Sequence, residues 1–220
     1  MKTNKYLLIG VFALFVTIFL WAARWYTLNQ NEQTQPAFQP NSPPLVRPYS
    51  PTQGDPGAPV TVVEFLDPEC EACGASFPMI KKALGEFGRQ TRLVIRYMPF
   101  HHNSVYAATV LESARKQGKY WEALEILFKK QPEWASHQNP KPELLPKYME
   151  ELGLDMELFN ASLKDETIKS KIQQDQEDGS QLKVTGTPTI FVNGKALSRL
   201  SYDALTEAIR DALSNKSDNK

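Results

Sequence analysis

The chain contains two cysteines, Cys70 and Cys73, with only Glu71 and Ala72 between them. Two thiols at this spacing can form a reversible dithiol/disulfide couple. Ahead of them the run VTVVEFL, Val60 to Leu66, is short, apolar and β-branched, which predicts a buried strand. Behind them Phe77, Ile80, Leu84 and Phe87 recur at helical spacing, so a helix is expected to start at or just after Cys70. A helix N-terminus favours the thiolate, and the thiolate is the species that attacks disulfides. The expected chemistry is thiol–disulfide exchange, with Cys70 as the exposed reacting sulfur. Cys73, one turn deeper, is expected to resolve the mixed disulfide.

Other uses of two cysteines are weaker. A disulfide across so short a loop stabilises little, and strain opposes it. A structural zinc site needs four ligands, and the neighbouring loop histidines His101 and His102 rarely both reach one metal. Two thiolates do suit Cu(I), so a copper-handling module is the alternative from a different class. No metal ligand set and no cofactor beyond the redox-active Cys70–Cys73 pair is expected.

The elements that must position this pair follow from the pattern of the chain. A second strand is expected over residues 91–98, then a block of helices punctuated by Gly118, Pro132, Pro140, Pro142, Pro146 and Gly153. Residues 189–192 predict a strand, Asn193-Gly194 a hairpin turn, and residues 195–197 its return. Residues 201–213 predict a closing helix with Ser201 as N-cap. The fold class is α/β in the order β-α-β, helices, β-hairpin, α.

With these elements in place, residues 58–214 resemble a DsbA-like thiol–disulfide oxidoreductase of the thioredoxin superfamily. The resemblance rests on Cys70-Glu71-Ala72-Cys73, Thr187-Pro188 opening a strand, Glu64 six residues before Cys70, and Pro78 five after Cys73. It implies a thioredoxin-like fold with a helical insertion, residues 103–182. It further implies a cis proline at Pro188, with the Thr187 backbone binding an extended substrate. Glu64 is then the buried acid that takes the proton of Cys73, its pKa raised by desolvation.

Glu71 and Ala72 inside the motif, and Glu69 before it, are expected to tune the couple. Strong oxidants of the family carry Pro-His between the cysteines. Negative neighbours disfavour a thiolate, so a couple less oxidising than the strongest members is expected. An oxidase is favoured over a reductase or isomerase, because an isomerase of this superfamily usually carries a dimerisation module.

Residues 7–23 are apolar and bracketed by Tyr6, Trp21, Trp25 and Tyr26. A helix over this stretch spans about 30 Å, the thickness of a bilayer's hydrocarbon core. Lys2 and Lys5 precede it, which orients the remainder of the chain outside the cytoplasm. Residues 1–25 are therefore expected to be a cytoplasmic stub and single transmembrane anchor. The alternative, a cleaved signal peptide, places a bulky Trp21 where the cleavage site wants a small residue. Residues 26–57 are rich in Pro, Gln and Asn and read as a tether, and residues 215–220 as a disordered tail.

The formal net charge is zero, and no basic stripe supports nucleic-acid binding. The expected partners are reduced or misoxidised protein substrates and a membrane redox protein that resets the couple. The protein is expected to be a membrane-anchored monomer on the periplasmic side.

Overall fold

The computed structural model describes residues 14–22, 24 and 44–217. Two units are distinguished, residues 1–37 and 38–220. In the first, residues 14–22 are helical and exposed. Most of the anchor and of the 26–57 tether falls outside the described residues. Among the described residues no helix is long and apolar enough to cross a membrane; residues 7–13 and 23 of the expected span lie outside them.

In the second unit the strands are β1 (Thr52–Gly54), β2 (Val60–Leu66), β3 (Thr91–Tyr97), β4 (Thr189–Val192) and β5 (Lys195–Ala196). They form one sheet in the order β1-β3-β2-β4-β5. β2 lies at its centre, parallel to β3 and antiparallel to β4. A strand walled in on both faces and both edges needs an apolar sequence, and β2 supplies one except at Glu64. The β4–β5 connection turns through Asn193 and Gly194, both at positive φ, as the Asn-Gly pair predicts.

Helix α1 (Glu71–Phe87) follows β2, and α8 (Tyr202–Ser217) packs on α1, β2 and β4. Ser201 accepts from Ala204 N at 3.2 Å, as expected of the cap. The helical insertion comprises α2 (Ser104–Arg115), α3 (Tyr120–Lys129), α4 (Gln131–Trp134), α5 (Leu145–Glu151), α6 (Met156–Ser162) and α7 (Glu166–Gln181). This matches the expected 103–182 closely. Trp134 is wholly buried within it and donates to the Leu127 carbonyl.

Side chains alternate across β2. Val63 and Phe65 join Val94, Met98, Leu182 and Phe191 on one face. Val62 and Leu66 belong to the larger core that also contains Cys70, Cys73 and the insertion's apolar residues. Glu64, two residues from each, faces that larger core.

Two boundaries are corrected. The tether was expected to run to residue 57, yet residues 44–57 are part of the fold. Leu45 is buried, Arg47 pairs with Asp178, and Tyr49 donates to Asp175 at 2.9 Å. β1 then pairs antiparallel with β3. A few specific contacts hold this proline-rich stretch, and composition does not reveal them. At the other end α8 continues to Ser217, so the first residues of the expected 215–220 tail are helical.

Candidate active site

Cys70 is the N-cap of α1, in extended conformation at φ −72° and ψ 119°. It is 8% exposed and Cys73 is fully buried, both as free thiols. The Thr187–Pro188 peptide is cis, as expected, and brings the Thr187 carbonyl to 3.4 Å from Cys70 Sγ. β2, the start of α1 and the turn before β4 thus converge on one sulfur.

The two thiols are held far apart in acidity. The Cys70 pKa is brought down to about 5, chiefly by the hydrogen bond from the Cys73 thiol. Burial works against this, while the Thr187 side chain and the Cys73 and Ala72 N–H groups reinforce it. Cys73 moves far upward, because it shares its proton with Cys70, is buried, and lies near Glu64. Only Cys70 is poised to be a thiolate at neutral pH.

Glu64 is fully buried, and neither carboxyl oxygen has a hydrogen-bond partner. Burial, with a contribution from the charge of Cys70, pushes its pKa up to about 8. A protonated carboxyl beside a buried thiol can exchange protons with it near neutrality. Pro78 lies inside α1, where its ring cannot donate to the Gly74 carbonyl one turn back.

The acidic residues within and before the motif have separate partners. Glu71 is exposed and lies 3.5 Å from His137. Glu69 is buried, and its carboxylate accepts from Asn103 N at 2.6 Å, Asn103 Nδ2 at 2.9 Å and Ser104 Oγ at 3.3 Å. Its charge is spent holding the start of α2. The Cys70 thiol is acidic beside them, with its pKa at about 5.

Sequence reasoning passed over three residues at this site. Asp67 is wholly buried and accepts from Glu69 N, Phe100 N and His101 N, and lies 2.7 Å from His101 Nδ1. His101, weighed in the sequence only as a zinc ligand, is therefore fixed in orientation. Gln131 reaches in from α4 and donates to the Pro68 and Cys70 carbonyls, each at 3.0 Å. An acid directly after a strand was the one available signal for Asp67; nothing local marks Gln131. A groove of about 660 Å³ opens beside this corner, lined by Glu71, Gly74, Phe128, Gln131, Ala135 and His137. Among the described residues no group of three or more His, Cys, Asp or Glu side chains is placed to hold a metal ion.

The family model described as Thioredoxin matches residues 47–211. Among solved structures, BdbD from Bacillus subtilis (oxidised) is 30% identical with a TM-score of 0.66, covering 75% of this chain and 93% of that one. A thioredoxin-like oxidoreductase from Silicibacter pomeroyi is 25% identical with a TM-score of 0.66, covering 77% and 95%. α-DsbA1 from Wolbachia pipientis shares the fold at 22% identity and a TM-score of 0.64, covering 77% and 96%. The chain belongs to the thioredoxin family, in its DsbA-like form with a helical insertion. Its fold is the one shared by these solved structures.

Curated relatives carry a different name. A Na(+)/H(+) antiporter NhaA 3 of Salinispora tropica is 35% identical over 162 residues, 72% of this chain and 24% of that protein. An NhaA of Herminiimonas arsenicoxydans is 31% identical over 198 residues, 87% and 30%. The chain spans between a quarter and a third of the length of these relatives, and the antiporter name describes those whole proteins.

Proposed function

We propose that the protein is an extracytoplasmic thiol–disulfide oxidoreductase that oxidises protein substrates through Cys70 and Cys73. The observation that carries this is the opposed acidity of the two thiols around a Cys70 close to the substrate-facing Thr187 backbone. A stabilised Cys70 thiolate favours the reduced pair, which makes the disulfide a stronger oxidant.

In the proposed cycle the Cys70–Cys73 disulfide meets a substrate thiolate. The substrate sulfur bonds to Cys70 Sγ, the S–S bond breaks, and its electron pair goes to Cys73, which takes a proton from Glu64. The second substrate thiolate then attacks its partner sulfur and releases Cys70 as a thiolate. The substrate has lost two electrons and the pair has gained them. A thiol of low pKa leaves readily, which suits Cys70 to this last step. Thr187 and Pro188 border the extended substrate, and the groove beside Glu71 and Gly74 offers room for its flanking residues.

A membrane redox protein takes the two electrons and restores the disulfide. The apolar run of residues 7–23 supports a single-pass anchor that keeps the domain, acting as a monomer, on the periplasmic side. The test is the reduction potential of the couple against glutathione, paired with oxidative refolding of a reduced substrate. A potential well above about −200 mV, with catalysed disulfide formation, supports the proposal. A thioredoxin-like value near −270 mV, with net reduction of substrate, overturns it.

A further inference from the structure

The motif has no basic residue between its cysteines, but a basic residue lies across the adjoining loop. Asp67, three residues before Cys70, holds both sides of this corner. Its carbonyl accepts from Cys70 N at 3.1 Å. Its buried carboxylate accepts from Phe100 N at 2.7 Å and lies 2.7 Å from His101 Nδ1. Glu69 ties down the same loop from the other side through Asn103 and Ser104, and His101 N also donates to Ser104 Oγ at 3.1 Å. The His101 ring is thus fixed in the same rigid corner as Cys70, with its side chain about one-third exposed at 32%.

We propose that His101, oriented by Asp67, is the cation that stabilises the Cys70 thiolate, a positioning and electrostatic residue supplied from outside the Cys-x-x-Cys motif. This rests on Cys70 being the thiolate-forming cysteine. Asp67 fixes Nδ1, so the ring gains and loses its proton at Nε2. Burial opposes a charged ring, but Asp67 first, then Cys70 and Glu69, raise the His101 pKa. The titratable groups facing this corner are Asp67, Cys70, Glu69 and His137, whose ring centre is 6.1 Å from that of His101; Glu71 in turn lies beside His137. A second cation at His137 would oppose that of His101, while Glu71 offsets it. Below the His101 pKa the ring places a positive charge in the corner that Asp67 shares with Cys70, and the couple is more oxidising; above it that support is lost.

The test titrates the Cys70 thiolate by its ultraviolet absorbance, and measures the potential against glutathione, in the wild type and His101→Gln. The expected result is a roughly tenfold weaker Cys70 acid and a couple about 30 mV more reducing at acidic pH. The difference should vanish at alkaline pH, where the wild-type ring is neutral. A merely structural histidine would give a difference independent of pH. The reciprocal measurement follows the His101 ring by NMR in reduced wild type and in Cys70→Ser. Loss of the thiolate should lower the His101 pKa, because coupling between two sites is mutual. An acidic Cys70 equally strong in His101→Gln, with His101 unmoved in Cys70→Ser, overturns the inference. A wild-type Cys70 that titrates as an ordinary thiol overturns the underlying reading of the pair instead.

Discussion

The Gln131 carboxamide donates to the Cys70 carbonyl at 3.0 Å, so the helical insertion holds the first turn of the redox helix directly. The fit is close. A Cβ added at Gly74 would lie 2.4 Å from Gln131 Oε1 and 3.4 Å from Phe128 Cδ1. Gly74→Ala is expected to push the carboxamide away and cost about 1–3 kcal/mol in urea unfolding. Gln131→Ala should lose about 1–2 kcal/mol by removing the donor to the Pro68 carbonyl and one of two donors to the Cys70 carbonyl, which keeps Gly74 N. In both variants the rate of Cys70 alkylation should change, since the helix end carries that sulfur. An unchanged unfolding midpoint in both would contradict the described packing.

Cys70 should alkylate with iodoacetamide along a pH profile centred at about 5, with Cys73 silent across the same range. Its leading support is the Cys73 hydrogen bond. Cys73→Ala should therefore move the profile up by about one to two pH units, the worth of one hydrogen bond to a charged group. Mass spectrometry of the alkylated peptide reads both results.

The same shift has a stability consequence in the reduced protein. A folded-state pKa depressed from about 9 to about 5 adds stability that is complete above pH 9. It diminishes as pH falls and is gone below pH 5. At pH 7 it is worth roughly 2–3 kcal/mol, and the oxidised protein lacks it. Reduced protein should thus resist urea better than oxidised at pH 7, with the gap closing towards pH 5.

Glu64 acts in the opposite sense. Its folded pKa of about 8 lies above the ordinary 4.5, so the native state binds more protons than the unfolded state between these values. Stability falls across that window by at most about 1.4 kcal/mol per pH unit. Glu64→Gln removes this slope and should be the more stable protein at pH 8. If Glu64 serves the Cys73 proton, the same variant should exchange disulfides more slowly. Urea unfolding of oxidised samples, where Cys70 does not titrate, isolates the effect.

On the opposite face, Arg96 is fully buried between Asp175 and Asp178, with Nε 2.7 Å from Asp175 Oδ1. Arg47 joins from residues 44–57 through Asp178 at 2.8 Å. Arg96→Met removes the buried cation from Asp175, leaves Arg47 as the cation paired with Asp178, and should cost about 3–5 kcal/mol. Arg47→Ala, at a partly exposed pair, should cost about 1 kcal/mol and make residues 44–50 a site of limited proteolysis. Resistance equal to wild type would mean that this stretch is held by something else.

Much of the fold could be read directly. β2, β3 and β4 are largely apolar because they lie at the centre of the sheet, with Glu64 and Arg96 as buried polar exceptions. β1 was missed because its three residues are all exposed, so no hydrophobic period identifies a strand paired at an edge. At the site, Cys70, Cys73, Glu64 and Thr187-Pro188 were legible through fixed offsets along the chain. The partners of Glu71 and Glu69 were not legible because sequence adjacency says nothing about direction. Glu71 turns to His137, and Glu69 to the start of α2. Gln131 lies 61 residues from Cys70, and only the packing of α4 on α1 brings it there.

The proposed function brings the protein to unfolded chains, whose strands seek a partner. Here the sheet ends in a three-residue strand on one side and a two-residue strand on the other. Neither is long enough to template a client's own strand. Under the proposed function, short borders of this kind leave a visiting chain the backbone groups beside Cys70 as its place to pair.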